Sequence, residues 1–580
     1  MKTLSLILLI LSTTLMAQPK HTLTFDDLWA MKRIGKVQLS PDGNTIAFNV
    51  TTYSFDENKG NIDIYLVDVD GKNIHPFKNS VKNETNPKFS PDGKKIAYVF
   101  DSRIWTANLD GSDEQKLTNL STGASGIVYS NDGKKMLFVS SVYPDCTTDD
   151  CNKEKDKQKE ESKVKASIFT ELMYRHWDEW RGEKRSHLFL LDISSKEVVD
   201  LTLNSKSDVP PIALGSDNDY SFSPDGSEIV FTMNPDNVVA TSTNNEIFIL
   251  KLADIQKEKP TPFKKISESK GNDCQPVYSP DGNFIAYTSM ERAGFEADKS
   301  RLMLYNRKTG TTNILTKDND LSVSEFVWSP DAKSIYFLAE NEIYNSIYKL
   351  EVATSKLTLL QKEGDNANLL LSNDGQKLFF KQQRTNLPYE IFSISTEGKD
   401  LKQITFTNSD RLASIEMNPL ETFWCKGANG TKVQSILVKP PFFRCSPGAF
   451  RIVHSVVRNQ CVETIRVPGD PIYHIPAIRS AGGKSIFCIY EREIFNRIVV
   501  SVHQVNIRLA APVAADLVNK FLSITGAAAW IGCDHNVTFR CKHVKIPSVM
   551  KIIRPMPLRS AVNKKDHWIF FLDIEERRFH

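Results

Sequence analysis

Apolar and polar residues alternate along much of the first two-thirds of the chain. Ile96, Tyr98 and Phe100 occupy every second position in one such stretch, and Ile285 and Tyr287 do so in another. Because successive side chains of a strand point to opposite faces, this period of two in β-branched and aromatic residues predicts half-buried β-strands. The same pattern predicts strands at residues 62–69, 104–109, 187–193 and 246–251.

A four-residue phrase comes before many of these stretches: Ser, then Pro or Asn, then Asp, then Gly or Ala. It occurs seven times, beginning at Ser40, Ser90, Ser130, Ser223, Ser279, Ser329 and Ser372. The phrase predicts a tight turn. Pro presets φ at the second turn position, Asp can bond the backbone beyond it, and Gly accepts a positive φ without steric cost.

Most copies of the phrase are 40 to 56 residues apart, which is about the length of a four-stranded propeller blade. The interval from Ser130 to Ser223 is nearly double and must hold an insertion, which we expect at about residues 144–185. We therefore predict an all-β fold, a seven-bladed β-propeller of WD40-like or TolB-like repeats over residues 23–410. Each repeat buries its sheet only against its neighbours, so the propeller would be one cooperative domain.

The beginning of the chain is typical of an export signal. Lys2 precedes an apolar run from Leu4 to Leu11, and Ala17 closes a small-residue cleavage site. The apolar run is too short for a stable membrane anchor. We expect residues 1–17 to be a signal peptide, the protein to be periplasmic or secreted, and no segment to span a membrane.

Two features open the expected insertion. Cys146 and Cys151 lie close in sequence, and in an oxidising compartment we expect them to form a disulfide. A metal site is the alternative, but two thiols without a nearby His make a poor zinc set. The mixed-charge segment at residues 153–163 has almost nothing to bury and is predicted to be a solvated, mobile loop.

The next segment, residues 170–180, crowds two Trp, a Tyr, a His, an Arg and three acids into eleven positions. Aromatic rings supply rigid contact area, and carboxylates pair with cations, so the combination suits a recognition surface. We expect Trp177, Asp178 and Glu179 to bind substrate, with the free amino terminus of a peptide as the cation. The alternative is that the segment packs over the propeller rim for structural reasons.

These parts together resemble the prolyl oligopeptidase family of serine peptidases, in its dipeptidyl peptidase V and acylaminoacyl peptidase type. The resemblance rests on the Met-Tyr-Arg-His-Trp-Asp-Glu-Trp run ending at Trp180 and on Ser-Met-Glu-Arg-Ala-Gly-Phe-Glu-Ala-Asp from Ser289 to Asp298. It covers about residues 23–443. Residues 411–443, with Lys-Pro-Pro beginning at Lys439, are similar to the lead-in from the propeller to the α/β-hydrolase domain of this family.

The resemblance implies a Ser, Asp and His triad with the Ser on a G-x-S-x-G elbow, but the sequence after Phe443 has no such motif. The small flanking residues are what permit the strained turn that exposes a nucleophilic Ser. We therefore assign no catalytic residue, no metal ligand and no cofactor, and expect this chain to be truncated relative to its family and inactive.

Residues 444–580 also differ in composition. They carry 20 Lys and Arg against 10 Asp and Glu, a net charge of +10, whereas residues 1–443 carry 53 against 60, a net charge of −7. Five of the nine Cys and seven of the eleven His lie there. Zinc binding is one interpretation, although only Cys533 with His535 and Cys541 with His543 are close pairs. Nucleic-acid binding has only the charge in its favour. We favour a third hypothesis, a disordered or out-of-frame tail, because Arg replaces Lys abruptly and the acids fall.

Two functions from different classes follow. The first is an exported serine peptidase that cleaves short peptides near the N-terminus, in which Ser attacks the carbonyl, His moves the proton and backbone amides hold the oxyanion. The second is a non-catalytic TolB-like propeller that acts as a binding or scaffold protein. We expect short peptides as partners and no nucleic acid; the sequence gives no oligomeric state.

Overall fold

The computed structural model describes residues 19–166, 168–169, 172, 175–216 and 219–443, together with short strands beyond them. The chain forms two compact units, residues 1–487 and residues 488–580. The predicted signal peptide and most of residues 444–580, including the Cys and His pairs considered for zinc, lie outside the described residues. Within the described part, no helix is both long enough and apolar enough to cross a membrane.

The first unit is built mainly from antiparallel strands arranged in seven consecutive four-stranded meanders. Helix α1 (Phe25–Ala30) precedes them. The first meander contains β1 (Arg33–Leu39), β2 (Thr45–Ser54), β3 (Lys59–Asp68) and β4 (His75–Lys78). The second contains β5 (Glu84–Phe89), β6 (Lys95–Phe100), β7 (Arg103–Asn108) and β8 (Gln115–Lys116).

The third meander is interrupted by the insertion. Its first two strands are β9 (Ser125–Tyr129) and β10 (Lys135–Val142). The insertion contains helix α2 (Asp149–Glu161) and the two-residue strands β11 (Arg175–His176) and β12 (Glu179–Trp180). The meander then resumes with β13 (Arg185–Asp192), which pairs with β10, and β14 (Val198–Asp200).

Four more meanders complete the series. The fourth contains β15 (Tyr220–Phe222), β16 (Glu228–Met233), β17 (Glu246–Lys251) and β18 (Phe263–Lys265). The fifth contains β19 (Asp273–Tyr278), β20 (Phe284–Ser289), β21 (Arg301–Asn306) and β22 (Thr312–Ile314). The sixth contains β23 (Val323–Trp328), β24 (Ser334–Asn341), β25 (Tyr344–Glu351) and β26 (Leu357–Gln361). The seventh contains β27 (Asp365–Leu371), β28 (Lys377–Arg384), β29 (Leu387–Ser395) and β30 (Lys402–Gln403). A single parallel bridge between Asn345 and Asp365 joins the sixth and seventh.

After the meanders come helix α3 (Ser409–Ala413) and a hairpin of β31 (Leu420–Lys426) with β32 (Lys432–Val438). Further strands are β33 (Arg451–Val457), β34 (Gln460–Arg466), β35 (Tyr473–Ile475) and β36 (Phe487–Cys488). Short 3₁₀ turns occur at Val239–Thr241, Leu252–Asp254 and Ala428–Gly430. All six strands predicted from alternation are present, as β3, β6, β7, β13, β17 and β20.

The seven predicted turns each join the first and second strands of a meander. In every copy the Ser hydroxyl donates to the Asp carboxylate over 2.5 to 2.7 Å. The same hydroxyl accepts the amide five residues on, as from Glu228 N to Ser223 Oγ at 2.9 Å. The fourth position has positive φ, 70° at Gly93 and 57° at Ala332. The side chains of the phrase therefore fix each turn locally.

These turns also contact one another. The side-chain amide of Asn373 donates to Pro41 O, and that of Asn131 donates to Pro224 O. Turn glycines pack against prolines of neighbouring turns in four places: Gly93 against Pro41, Gly133 against Pro91, Gly282 against Pro224 and Gly375 against Pro330.

The first and seventh meanders share a buried core. Ile46 and Phe48 of β2 pack in one cluster with Phe379 of β28 and Ile391 of β29. The amide of Val37 also donates to Asn368 Oδ1 of the seventh meander over 2.8 Å. The ends of the series are therefore joined by both apolar packing and hydrogen bonds.

The prediction of a mobile loop at residues 153–163 is wrong, because most of that segment lies in α2. The Thr148 side chain caps the helix, and Asp149 and Asp150 occupy the first turn, where negative charge is favoured. Lys153 pairs with Asp149 one turn away at 2.9 Å. Much of the surface of the helix is solvated, but its N-terminal part is hydrogen-bonded to Ser121, which precedes β9, and to Tyr143, which follows β10.

Candidate functional site

The insertion leaves the third meander at Val142 and is fastened to it by the first turn of α2. Asp149 Oδ1 accepts the amide and the hydroxyl of Ser121 over 2.7 and 2.6 Å. Cys146 and Cys151 form a disulfide, with Cα atoms 5.5 Å apart. The disulfide ties the segment after β10 to the beginning of the helix.

Tyr143 forms the second fastening point. Asn152 is buried, and its Oδ1 accepts the Tyr143 amide over 2.9 Å. The Tyr143 ring contacts both Lys155 and Lys184, whose Nζ atoms are 5.0 and 5.1 Å from its centroid. Its hydroxyl donates to Asp156, and burial together with this carboxylate raises the pKa of Tyr143 to about 12. Lys184 also pairs with Asp156 at 2.8 Å. Helix α2 and the segment that follows the hairpin therefore meet at the carboxylate of Asp156.

The candidate recognition residues lie on a hairpin beyond these anchors. β11 pairs with β12 through Arg175 opposite Trp180 and His176 opposite Glu179. Trp177 and Asp178 form the connecting turn, and Trp177 has a φ of 52°. A hairpin with two residues in each strand is not stable alone, so its position depends on its surroundings.

The hairpin presents both aromatic surface and negative charge to solvent. Trp177 and Trp180 are 84% and 66% exposed. Trp180 stacks on Phe169 with centroids 5.6 Å apart, and Trp177 meets His176 edge to face. Asp178 and Glu179 are exposed, and within the described residues no hydrogen bond or ion pair engages either carboxylate. Neighbouring residues 170, 171, 173 and 174 lie outside the described residues.

The three residues predicted to bind substrate therefore share one exposed hairpin tip. Two adjacent carboxylates and an indole face can hold an ammonium group, by charge-assisted hydrogen bonds and by cation–π attraction respectively. This arrangement can bind a cation but has no chemistry of its own.

Sequence reasoning missed the residues that hold the hairpin in place. Arg181, directly after β12, pairs through Nη2 with Asp208 Oδ2 at 2.5 Å, and the two side chains are only 10% and 12% exposed. Asp208 Oδ1 accepts the amide of Ser186 in β13 over 2.8 Å. One carboxylate thus connects the end of the hairpin to the resumed sheet. The only sequence signal was an Arg beside the aromatic run, and nothing identified its partner 27 residues away.

His187 supports the segment that carries Asp208. Its Nδ1 lies 2.7 Å from Asp200 Oδ2 and its Nε2 lies 2.9 Å from Ser205 O. Both neighbours accept hydrogen bonds, so the arrangement favours the protonated ring, in which both nitrogens donate. Burial disfavours this charge, but the hydrogen bond to Asp200 and its charge outweigh burial and raise the pKa of His187.

The second diagnostic segment, from Ser289 to Asp298, is closed on itself. Asp298 accepts both Nε and Nη2 of Arg292, at 3.1 and 2.7 Å, and these bonds hold the pKa of Asp298 well below its usual range. The Arg292 guanidinium lies 4.0 Å from the Phe295 centroid. Gly294 N donates to Thr243 of the fourth meander. The structure thus accounts for this segment as a loop that bridges two meanders.

Other reactive groups in the described residues do not assemble into a site. The two free cysteines described are Cys274 and Cys425, and burial raises the pKa of the Cys274 thiol to about 12. No group of three or more His, Cys, Asp or Glu side chains in that part of the chain could hold a metal. A cleft of about 700 Å³ opens between the first three meanders, lined by Tyr53, Asn61 and Lys82 among others, and the hairpin takes no part in it.

Similar proteins were found by sequence. Residues 40–132 match the family described as the dipeptidyl peptidase IV (DPP IV) N-terminal region. The chain is 29% identical over 432 residues to dipeptidyl-peptidase 5 of Porphyromonas gingivalis and 28% identical over 433 residues to dipeptidyl-peptidase 5 of Porphyromonas endodontalis. Each alignment covers 73% of this chain and 61% of the relative. The chain therefore spans less than two thirds of the length of the curated relatives it matches.

Solved structures with a similar fold include an acylaminoacyl peptidase in complex with Z-Gly-Gly-Phe-chloromethyl ketone. It has a TM-score of 0.55 and 14% identity, over 73% of this chain and 59% of that chain. The Pyrococcus horikoshii acylaminoacyl peptidase has a TM-score of 0.55 and 15% identity, over 72% of this chain and 59% of that chain. At these identities the likeness concerns the fold alone.

Proposed function

We propose that the chain is the peptide-recognising part of an exported serine peptidase of the prolyl oligopeptidase family, in its dipeptidyl-peptidase type; the family match over residues 40–132 and the similarity to two dipeptidyl-peptidases 5 support this. Its substrates are short peptides with a free amino terminus. The hairpin tip at Trp177, Asp178 and Glu179 binds that terminus.

The seven meanders form a closed seven-bladed β-propeller in this proposal. Two observations support closure: the core shared by the first and seventh meanders, and the contact of Asn373 with Pro41 between the last and first turns. A closed ring covers the inner faces of all meanders and leaves no exposed inner edge strand. It would carry the insertion as a fixed projection from the third blade.

The observation that carries amine recognition is the exposure of Asp178 and Glu179 on an anchored hairpin without a partner among the described residues. A carboxylate left without a protein cation is available to a ligand cation. Exposed ion pairs are worth about 0.2 to 1 kcal/mol, a factor of about 1.5 to 5 in affinity. Where such a site is shielded from water, a charge-assisted hydrogen bond contributes about 1.5 to 3 kcal/mol.

The same proposal assigns no hydrolysis to this chain. Residues 444–580 contain no G-x-S-x-G motif on which a nucleophilic Ser could be exposed beside an oxyanion hole. Peptide binding is therefore the activity that this chain can be tested for directly.

Binding of matched peptides tests the proposal. Ala-Phe amide carries an ammonium group, whereas N-acetyl-Ala-Phe amide differs by lacking it. Titration of each peptide into the chain, followed by NMR of the indole N–H signals, should show the free-amine peptide binding more tightly by a factor of about 1.5 to 5. Glu179→Gln should reduce this preference, since it removes the charge with little change in shape.

The control variant is Glu183→Gln, which neutralises another exposed acid of the same insertion. It should leave the preference intact, because Glu183 lies outside the hairpin tip. Equal binding of the two peptides by the unmodified chain would contradict amine recognition, and equal effects of the two variants would show only a general influence of charge.

A further inference from the structure

The buried pair of Arg181 and Asp208 has a geometry that stability alone does not explain. Both side chains are nearly withdrawn from solvent. Taking two charges out of water costs free energy that their attraction often only balances, so a buried ion pair is weak grounds for stability. Within the described residues, Arg181 Nε is buried with no hydrogen-bond partner. Among the described residues, one carboxylate therefore holds the guanidinium.

The pair anchors the short connection through which the chain leaves β12 and returns to the third meander. Arg181 follows Trp180 directly, and four residues later the chain enters β13 at Arg185. One carboxylate oxygen of Asp208 accepts a hydrogen bond from Arg181, and the other accepts the amide of Ser186. This fixes the distance between the hairpin end and the sheet through a single planar group.

Asp208 is itself held from both sides. Val209 N donates to Ser186 O over 2.7 Å, and Ser186 Oγ donates to Val209 O over 2.9 Å. Before it, Ser205 O accepts the ring of His187. The carboxylate therefore belongs to a segment bonded to β13 at neighbouring positions, and it cannot follow the hairpin if the hairpin moves.

From this geometry we infer that Arg181 and Asp208 are a positioning pair, which sets where the tip formed by Trp177, Asp178 and Glu179 stands and so gives the site its preference for a free amino terminus. The inference rests on the proposed function. Neither residue touches substrate. The pair acts through the hairpin, because a short hairpin without its anchor samples positions in which the two carboxylates no longer meet the ammonium group together.

Two variants separate positioning from stability. Asp208→Asn keeps an acceptor for Ser186 N but leaves a buried cation without its counter-charge, so it should lower the thermal midpoint. The double variant Arg181→Met with Asp208→Asn contains no buried charge and fills the space with an unbranched apolar side chain, so it should restore the midpoint to near that of the unmodified chain. The control is Lys257→Met with Glu197→Gln, an exposed ion pair away from the insertion.

Hydrogen exchange of peptides spanning residues 168–186 reports the hairpin directly. We expect exchange there to rise by about tenfold in the double variant while the peptides of β10 and β16 keep their protection, since local opening is governed by local anchors. The control variant should exchange like the unmodified chain. Unchanged exchange at residues 168–186 in a double variant of normal midpoint would overturn the inference, because packing alone would then fix the hairpin.

Peptide binding supplies the readout that a structural role would not move. The double variant should bind Ala-Phe amide and N-acetyl-Ala-Phe amide equally, having lost the preference by a factor of about 1.5 to 5. A preference kept in full by the double variant would refute the positioning role and leave the proposed function standing. No preference in the unmodified chain would instead refute the proposed function, and the inference with it.

Discussion

Asp273 should make the unit formed by the seven meanders less stable as the pH rises. It opens β19 and is fully buried, and burial raises its pKa to about 7, with the charge of Glu246 adding to the rise. The hydroxyls of Ser267 and Ser289 moderate this, but neither carboxylate oxygen has a hydrogen bond of good geometry. The carboxyl is therefore protonated in the folded state at pH values where the unfolded chain has lost the proton.

The change in the free energy of unfolding with pH follows from the linkage between protonation and folding. The ordinary pKa of Asp is near 3.8, so the stability that the neutral carboxyl allows is fully present below pH 4, declines as the pH rises, and is lost once the pH passes 7. Each pKa unit is worth about 1.36 kcal/mol. The ionisation of Asp273 should therefore lower the free energy of unfolding by about 3 kcal/mol between pH 5 and pH 8. Asp219, whose pKa burial raises to about 6, should add about 1 kcal/mol over the same interval.

Asp273→Asn removes the titration and preserves the shape of the side chain. Denaturant unfolding at pH 5 and pH 8 should show that the variant gains about 3 kcal/mol over the unmodified chain between the two pH values. Other buried acids titrate alike in both proteins and cancel in this difference. Asp254→Asn, at an exposed position, should show no such gain. An equal pH dependence in the Asp273 variant and the unmodified chain would refute the reasoning.

Two further predictions concern the turns and the buried histidine. Ser223→Ala should lower the free energy of unfolding by about 1 to 3 kcal/mol, because the half-buried amide of Glu228 loses the buried hydroxyl that accepts it; a loss below about 0.5 kcal/mol would mean that the backbone alone holds the turn. His187 should show two protonated ring nitrogens by ¹⁵N NMR at pH 6, below the ordinary pKa of His, and the stability from its pair with Asp200 should be lost as the pH rises through its raised pKa. A neutral ring at pH 6 would contradict the assignment.

The repeated turns could be predicted from the sequence because their chemistry is local. The hydroxyl of Ser90, the carboxylate of Asp92 and the positive φ of Gly93 all act within one four-residue phrase. The strands could also be predicted from local sequence, since the alternation of apolar and polar residues shows which face of a strand is buried. The grouping of Asp178 and Glu179 on one exposed tip was likewise predictable, because they are neighbours in sequence.

What the sequence did not predict depends on contacts between distant segments. Helix α2 was missed because its charged residues resemble a solvated loop, while its anchoring depends on Asn152 meeting Tyr143 and on Asp149 meeting Ser121. The partnership of Arg181 with Asp208 arises only when the insertion folds back beside the segment before the fourth meander.

Labelling with a serine-reactive fluorophosphonate probe tests most directly the claim that this chain recognises peptides without hydrolysing them. The purified 580-residue chain should remain unlabelled and should not hydrolyse chromogenic dipeptide substrates, because no Ser after Arg444 lies in a G-x-S-x-G motif. A complete serine peptidase, treated in parallel, is the positive control. Stoichiometric labelling of any serine after Arg444, together with dipeptide release, would contradict the account.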